Sequence, residues 1–256
     1  MTIKTIDLNC DMGEGLDTAD SAMLSIVSSA NVATGAHAGS LERFEKLIIQ
    51  AHDKGVVCGI HPGFNDPENF GRTRLPLRPI EITALLVEQI SNCDAIAARH
   101  DISLPFLKVH GALANMAEED SAIANAIAQA VTATGPTRAL VGMAGLGQAT
   151  AAKKFGLKFI GEIFADRAYR DDGFLTPRTA PNAVIHDPLQ ITARVLQMIR
   201  DKAVITTSGT IIPAQIDTIC VHGDTKNAVT IAADLRHALE RAGLTIASPF
   251  YNGAAQ

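Results

Sequence analysis

Short runs rich in isoleucine and valine alternate along the chain with longer stretches in which apolar residues recur every three or four positions. The runs are typical of buried strands, and the longer stretches are typical of helices that bury one face. Each unit therefore consists of a strand followed by a helix. The pattern predicts seven strands, at residues 3–10, 31–34, 56–60, 106–109, 139–143, 158–164 and 218–221.

Signals for helix ends lie between these runs. Ser40 is placed to cap the helix between the second and third strands, and Gly55 suits its end. The face that this helix is expected to bury consists of Phe44, Leu47, Ile48 and Ala51. Later helices carry similar signals, at Pro79, at Asp187 before Pro188, and at Thr225 with Gly243 near the end.

The regular alternation of strand and helix bears on the architecture. It continues without a linker, a low-complexity segment or a change in composition. Barrels commonly form one unit at a length of 256 residues, so we expect residues 1–256 to form a single α/β domain. The pattern alone favours a closed barrel or a doubly wound sheet and does not choose between them.

Composition and charge limit the kinds of molecule that the protein is expected to bind. Hydrophobic residues make up 47% of the chain, and tryptophan is absent, so we expect a largely aliphatic core. The formal net charge of −5, without a block of lysines and arginines, provides no electrostatic footprint for nucleic acid or an anionic membrane. A small-molecule substrate is expected instead.

The sequence was also searched for targeting segments, membrane spans and paired cysteines. The N-terminus enters a strand-like run directly, and no stretch approaches the roughly 18 apolar residues of a membrane span. We therefore expect a cytoplasmic location. The four cysteines are far apart and form no C-x-x-C pair, which favours reduced core cysteines over disulfides or a structural zinc site.

A histidine followed by a small-residue turn recurs at the end of several apolar runs. The four examples are His37, His61, His110 and His222, while Asp11 and Asp166 occupy equivalent places after the first and sixth strands. In a parallel barrel all strand carboxyl ends open on one face, so we expect these side chains to converge there. By contrast, His52, His100 and His237 lie among charged neighbours on predicted helix surfaces, and His186 is ambiguous beside the capping Asp187.

This collection of side chains suits two kinds of chemistry. Imidazole titrates near neutrality, and a carboxylate can orient it, so general acid and base catalysis is one. A divalent metal is the other, with Asp11, His37 and His61 as a plausible set of nitrogen and oxygen ligands. No H-x-x-x-H motif is present and the spacing selects neither zinc nor manganese, so metal binding stays open.

Arginines near Asp166 indicate a site for an anion. Arg167 and Arg170 follow the sixth strand, and a guanidinium can hold a carboxylate or phosphate through two hydrogen bonds. A surface cluster of ion pairs is the alternative. Arg72 and Arg74 form a weaker candidate of the same kind.

Motifs for nucleotides and nucleophiles are missing. The chain contains neither a G-x-x-x-x-G-K-[ST] phosphate loop nor a G-x-S-x-G elbow. Residues 142–147, GMAGLG, follow a strand and open a helix, so their amides could receive an anion. A tight turn is the commoner meaning of such a segment.

Several of these segments together resemble the LamB/YcsF family, and the similarity extends over about residues 6–246. The segments that carry it are DLNCDMGE at 7–14, HAG at 37–39, HPGF at 61–64 with FGR at 70–72, KVHGAL at 108–113 with Asn115 and Met116, FADRAYR at 164–170, and VHGDT at 221–225. Each segment alone is modest evidence. Their combination is specific.

The resemblance implies a fold and an activity. The fold is a single-domain, seven-stranded (β/α) barrel of the glycoside hydrolase/deacetylase type. The activity is ATP-dependent hydrolytic opening of 5-oxoproline (pyroglutamate) to L-glutamate by a 5-oxoprolinase, in which this chain acts beside B and C subunits. An unstrained lactam is a poor acyl donor, whereas a phosphorylated lactam oxygen creates a reactive imidate. The missing phosphate loop is consistent with ATP being handled by the partner subunits.

The leading hypothesis assigns roles within this reaction. Asp11 or a histidine activates water, while Lys108 and Arg167 hold negative charge. The predicted catalytic residues are Asp11, His37, His61, His110 and Asp166. The predicted substrate-binding residues are Glu14, Arg72, Lys108, Asn115, Arg167, Arg170 and His222. A metal-dependent deacetylase or amidohydrolase on the same barrel, and a noncatalytic subunit that presents a ligand, remain alternatives.

The chain departs from the family pattern at five positions. These are Thr34 in place of Cys, Ala36 in place of Phe, Ser40 in place of Asp, Val109 in place of Pro and Ala114 in place of Tyr. Ser40 conserves a capping oxygen. Ala36 and Ala114 would remove aromatic walls from the expected pocket, so a larger or different lactam is compatible with the sequence.

Overall fold

A computed structural model describes residues 4–223 and 227–250 of the chain. The predicted cap at Thr225, with Asp224 of the VHGDT segment, lies outside the described residues. The strands are β1 (Lys4–Met12), β2 (Ser29–Ala33), β3 (Val57–His61), β4 (Phe106–Lys108), β5 (Ala139–Met143), β6 (Phe159–Phe164), β7 (Ala203–Ile205), β8 (Ile211–Pro213), β9 (Thr218–Cys220) and β10 (Leu244–Ile246).

Helices occupy most of the connections between these strands. They are α1 (Asp17–Met23), α2 (Leu41–Asp53), α3 (Pro79–Ala98), α4 (Gly111–Glu119), α5 (Ser121–Thr134), α6 (Gly147–Lys154), α7 (Pro188–Asp201) and α8 (Ala228–Arg241), with a short 3-10 helix at Pro67–Asn69. None of the helices in the described ranges is long and apolar enough to cross a membrane.

Seven parallel strands close into a barrel. Their order is β1-β2-β3-β4-β5-β6-β9, and β9 also pairs with β1 through Asp7 beside Thr218. The seven predicted strands and the closed barrel are therefore confirmed, and the doubly wound sheet is wrong. Several strand ends shift: β1, for example, continues two residues beyond the predicted end at residue 10. The prediction that residues 1–256 form one domain stays a prediction.

Three short strands were not predicted. β7 and β8 form an antiparallel hairpin, and β10 lies parallel to the beginning of β1. β8 and β10 bury none of their residues, unlike the equally short β4 and β9, so they do not give the apolar pattern of a buried strand. The hairpin follows α7 and precedes β9, so it interrupts the regular alternation of strand and helix.

The core surrounds the barrel where helices pack against its outer face. The predicted buried face of α2 is confirmed, since Phe44, Leu47, Ile48 and Ala51 are all buried. Ser40 Oγ accepts a hydrogen bond from Arg43 N at 3.1 Å and Asp187 Oδ1 accepts one from Leu189 N at 3.0 Å, so both predicted caps are confirmed. All four cysteines are buried and free.

Candidate active site

The predicted side chains meet at the carboxyl end of the barrel. Asp11 is the penultimate residue of β1 rather than a residue after it, and His61 ends β3. His110, Asp166 and His222 each lie two residues beyond a barrel strand. Because parallel strands open their carboxyl ends on one face, residues distant in sequence line one cavity of about 550 Å³.

Most of the predicted site residues line this cavity. Among the predicted catalytic residues, these are Asp11, His61 and His110. All of the predicted substrate-binding residues do so, namely Glu14, Arg72, Lys108, Asn115, Arg167, Arg170 and His222. His37 and Asp166 are buried behind the wall of the cavity, where they contact Glu14 and His222 respectively.

One buried lysine connects two carboxylates inside the barrel. Lys108 Nζ donates to Asp11 Oδ1 at 2.9 Å and lies 2.9 Å from Glu162 Oε1. Burial alone would raise the pKa of Asp11, but the Lys108 ammonium outweighs it and holds that pKa well below its usual range. At Glu162 burial prevails and the pKa is raised, so Asp11 is the stronger anion of the two.

Asp11 keeps one oxygen directed away from this ion pair. Asn31 Nδ2 donates to Asp11 Oδ1 at 2.8 Å, so the lysine and the amide share the same oxygen. Asp11 Oδ2 lies 3.6 Å from His61 Nε2. Lys108 and Asn31 thus fix the carboxylate, and Oδ2 faces the histidines.

Three histidines and Glu14 form a compact cluster beside Asp11. His61 Nε2 lies 3.1 Å from His110 Nδ1, and Glu14 Oε1 lies 3.1 Å from His37 Nε2 and 3.3 Å from His110 Nδ1. One ligand atom from each of the four side chains falls within 4.8 Å of all the others. This set differs from the predicted metal ligands, because Glu14 and His110 join His37 and His61 while Asp11 stands beside them.

In His61 and in His110, a hydrogen bond to a backbone carbonyl determines which ring nitrogen carries the hydrogen. His61 Nδ1 donates to Lys108 O at 2.7 Å, and His110 Nε2 donates to Phe70 O at 2.9 Å. Burial lowers the pKa of His61 to about 4 and that of His110 well below its usual value, so both rings are neutral near pH 7. Their facing nitrogens therefore present lone pairs.

Two glycines allow the loops to close over this cluster. Gly71 has a φ of +63°, and a Cβ there would lie 2.7 Å from His37 Cβ. Gly39 has a φ of +74°, and a Cβ there would lie 2.2 Å from Gly13 O. Any larger residue at either position would strain the backbone and push the loops apart.

A second histidine and carboxylate pair follows β9 and β6, and β9 is the barrel neighbour of β1. His222 Nδ1 donates to Asp166 Oδ1 at 2.7 Å, and the His222 ring stacks on Phe164 at 5.3 Å. Asp166 is 1% exposed. The carboxylate therefore holds the ring orientation and directs the other nitrogen, Nε2, away from itself.

Arginines supply the positive charge of the cavity. The members of this arginine group are Arg72, Arg74, Arg167, Arg170 and Arg178. Arg167 donates to Thr176 O at 2.7 Å, and burial lowers its pKa to about 10, which leaves it charged at neutral pH. Arg170 pairs with Asp172 and Arg74 with Glu119, so part of the group is engaged in ion pairs as the alternative interpretation expected.

Sequence reasoning missed three polar residues in the barrel interior. Asn9 Nδ2 donates to Glu162 Oε1 at 3.0 Å, and Asn31 Nδ2 donates to Asn9 Oδ1 at 2.7 Å. A signal was present, because Asp7, Asn9 and Asp11 alternate along β1 and so share the face that points into the barrel. Glu162 stands alone in an apolar strand and gave no comparable pattern.

The four remaining histidines are exposed, namely His52, His100, His186 and His237.

The segment at 142–147 forms a turn before α6. Gly145 adopts a φ of +87°, and the amide that follows the segment, Gln148 N, donates to Glu118 Oε2 at 2.9 Å. An internal carboxylate therefore occupies this helix end, which agrees with a tight turn.

The residues that depart from the family pattern lie in different parts of the structure. Val109 and Ala114 line the cavity, whereas Ala36 is not among the described lining residues. Thr34 Oγ1 donates to Gln89 Oε1 at 2.6 Å behind the site. A small side chain at Ala114 therefore enlarges the cavity directly.

Comparisons with known proteins match the whole barrel. The model of the LamB/YcsF family matches residues 6–253. A curated relative from Azorhizobium caulinodans, named as the A subunit of 5-oxoprolinase, is 46% identical over 254 residues, covering 97% of this chain and 99% of the relative.

Solved structures agree with this match. The lactam utilization protein from Thermus thermophilus superposes with a TM-score of 0.87 at 37% identity, covering 95% of this chain and 99% of that one. The catalytic domain of a peptidoglycan N-acetylglucosamine deacetylase from Eubacterium rectale matches with a TM-score of 0.50 at 10% identity, covering 96% and 88%. At that identity the likeness concerns the fold alone.

Proposed function

Because the chain belongs to the LamB/YcsF family, we propose that it is the hydrolase subunit that opens 5-oxoproline to L-glutamate in an ATP-dependent 5-oxoprolinase. The 46% identical relative is named as the A subunit of 5-oxoprolinase, which supports this proposal. The name of the Thermus thermophilus structure, a lactam utilization protein, supports the same substrate class.

The observation that carries the proposal is the presence of two pairs of a carboxylate and a histidine at the same end of the barrel. Asp11 lies beside His61, and His222, held by Asp166, follows β9, the strand that pairs with β1. Amide hydrolysis needs a proton acceptor for water and a proton donor for the leaving nitrogen, both within reach of the carbonyl group. The arginine group supplies charge for the carboxylate of 5-oxoproline or for a phosphoryl group.

The chain's own side chains can be assigned to steps. Water forms a bond to the lactam carbonyl carbon and gives its proton to Asp11 Oδ2, the oxygen that Lys108 and Asn31 leave available. The carbonyl C–N bond then breaks, and His222 supplies the proton that the ring nitrogen takes up. Cleavage leaves a free amine and an acyl group on one open chain, and hydrolysis of the acyl group gives glutamate.

ATP enters this proposal through partner subunits. Phosphorylation of the lactam oxygen by ATP would give an imidate and ADP, and the first water would add to the imidate carbon. Loss of the ring nitrogen would leave an acyl phosphate, and a second water would release phosphate and glutamate. The sequence contains no phosphate loop for ATP, and the relative is named as one subunit of its enzyme, so B and C subunits supply the phosphorylation. A cytoplasmic location follows from the proposal because the reaction consumes ATP.

Reconstitution tests the proposal. The purified chain is assayed for glutamate release from 5-oxoproline, with and without ATP and with and without candidate B and C subunits. We expect turnover only when ATP and all subunits are present, and negligible ATP hydrolysis by the chain alone. Rapid ATP-coupled turnover by the chain alone would contradict the division of labour, and intact turnover with both Asp11→Asn and His61→Gln would favour a ligand-presenting role.

A second candidate function is favoured by the cluster of Glu14 with three histidines. It is a metal-dependent deacetylase or amidohydrolase on the same barrel, acting without ATP or partners. Release of acetate from N-acetylated sugars by the metal-loaded chain alone would support it. Absence of that activity, together with ATP-dependent glutamate release by the reconstituted complex, would exclude it.

A further inference from the structure

Three acceptor atoms face one another beside the cavity. His61 Nδ1 and His110 Nε2 each donate to a backbone carbonyl. The remaining nitrogens, His61 Nε2 and His110 Nδ1, therefore carry lone pairs and face each other at 3.1 Å. Glu14 Oε1, another acceptor, lies 3.3 Å from His110 Nδ1 and 3.8 Å from His61 Nε2. Acceptors at these separations repel unless a hydrogen or a cation lies between them.

A shared proton does not satisfy this arrangement. It would require one ring to carry a hydrogen on each nitrogen, because His61 Nδ1 and His110 Nε2 already donate to backbone carbonyls. A single proton would also bridge only two of the three acceptors. A cation at their centre satisfies all three.

We propose that a divalent transition-metal ion of the zinc class binds to His61 Nε2, His110 Nδ1 and the Glu14 carboxylate. With metal–ligand bonds of about 2.0–2.1 Å, neighbouring ligands of a tetrahedral ion lie about 3.3 Å apart. The observed separations of 3.1, 3.3 and 3.8 Å bracket that distance. Two imidazoles and one carboxylate are also a donor set that zinc uses where a fourth position is left for water.

Ring orientation excludes His37 from the ligands. A metal lies close to the plane of the imidazole that binds it, and the His61 and His110 rings meet at 87°, so both planes can contain one ion. The His37 and His110 rings are stacked 3.8 Å apart at an angle of 2°, so one ion cannot lie in both planes.

His37 is instead a positioning residue. A carboxylate only accepts, so His37 Nε2 donates its hydrogen to Glu14 Oε1 at 3.1 Å. The ring is fully buried, and Gly71 packs against its Cβ. His37 therefore orients the carboxylate that binds the ion, as outer-shell partners of metal ligands commonly do.

The place of the ion agrees with the geometry of the cavity. Glu14, His61 and His110 all line the cavity, and Asp11 Oδ2 lies 3.6 Å from His61 Nε2. An ion bound there would lower the pKa of a coordinated water, and Asp11 Oδ2 stands next to that position. The inference rests on these side chains and is independent of the identity of the lactam.

Metal binding by the purified chain tests this inference. Tag-free protein is stripped with a chelator, dialysed, and titrated with Zn²⁺ and with Co²⁺ by calorimetry, and the retained metal is measured by elemental analysis. We expect one ion per chain, and a visible Co²⁺ spectrum of low coordination number. His61→Gln and His110→Gln are expected to weaken binding more than 100-fold, and His37→Gln about 10- to 100-fold, the usual effect of losing an outer-shell partner.

The control is His100→Gln, which replaces an exposed histidine bonded to Glu45 and should leave binding unchanged. Thermal melting of each stripped variant checks folding, and Glu14→Gln provides a further ligand variant if a histidine variant does not fold. Absence of a stoichiometric ion, or wild-type affinity in folded His61→Gln and His110→Gln, would overturn the inference. The titration contains no lactam, ATP or partner, so this failure is distinct from failure of the proposed function.

Discussion

Lys108 Nζ lies 2.9 Å from both Asp11 Oδ1 and Glu162 Oε1, so one buried ammonium pairs with two carboxylates in the barrel. Burial alone would lower the pKa of Lys108, but the charges facing it, with Asp11 first, hold that pKa well above its usual value. The lysine is therefore charged near neutral pH. Its position orients the Asp11 carboxylate, and its positive charge offsets negative charge inside the barrel.

Removal of this ammonium is expected to destabilise the fold. Lys108→Met leaves two buried carboxylates without their cation, which commonly costs about 3–5 kcal/mol. The free energy of unfolding from urea titration measures the effect. The matched control is Lys54→Met, which removes an exposed lysine that donates to Ser25 Oγ and should change stability by less than about 0.5 kcal/mol.

A second substitution separates charge from packing. Because Glu162 has the raised pKa, Lys108→Met with Glu162→Gln should recover part of the lost stability. Equal stability of Lys108→Met and the wild type would show that the ion pair does not stabilise the fold.

The His222 and Asp166 pair should be required for turnover. Asp166→Asn removes the negative charge beside His222, and its amide nitrogen can donate to Nδ1, so the hydrogen on Nδ1 is no longer fixed. We expect kcat of the reconstituted enzyme to fall about 10²- to 10⁴-fold. The pH profile of kcat/KM should also change, which a purely structural role would not produce.

The control for that prediction is Asp187→Asn. Asparagine caps helices as well as aspartate does, and Asp187 is exposed at the start of α7, so turnover should stay at the wild-type level. An unchanged kcat and pH profile in folded Asp166→Asn would remove the pair from the mechanism.

Arg72 should recognise the carboxylate of 5-oxoproline. It lines the cavity with its guanidinium 4.7 Å from the centre of the Phe70 ring. A hydrogen bond to a charged group contributes about 1.5–3 kcal/mol, so Arg72→Gln should raise KM about 10- to 100-fold. A lactam without a carboxylate, such as 2-pyrrolidinone, should show little change.

Arg78→Gln serves as its control, because Arg78 is exposed and pairs with Glu81 at the start of α3. If Arg72→Gln affected both lactams equally, Arg72 would not be the residue that binds the carboxylate.

Asp20 should make stability depend on pH. It is 3% exposed, and burial raises its pKa to about 6, while Gly13 N donates to its Oδ2 at 3.0 Å. Between about pH 4 and 6 the folded state keeps a proton that the unfolded chain releases, so stability falls as the pH rises. The difference between a pKa of about 6 and the usual pKa of 3.8 corresponds to about 3 kcal/mol at neutral pH.

Asp20→Asn keeps the acceptor for Gly13 N and does not titrate. The variant should therefore be more stable than the wild type at pH 7.5 and about equal to it below pH 4. Melting curves across this range measure the difference. A variant that is less stable than the wild type at pH 7.5 would show that Asp20 is needed as an anion.

Local patterns in the sequence were sufficient for the elements and for most side chains of the site. Apolar periodicity identified all seven barrel strands, because burial on a barrel wall imposes that pattern on every strand. The histidine turns placed His61, His110 and His222 at one end, since a parallel barrel opens all of its carboxyl ends on the same face. The caps at Ser40 and Asp187 could be predicted because a cap is a contact between residues close in sequence.

Tertiary structure alone decided closure of the barrel and the contacts between distant segments. Pairing of β9 with both β6 and β1 joins residues that no local pattern connects. The same holds for Lys108 with Glu162, for Glu14 among the histidines, and for His37 behind the wall. The facing lone pairs of His61 and His110 depend on which backbone carbonyl each ring meets, and that is determined by the packing of whole loops, because ring orientation leaves no periodic trace in the sequence.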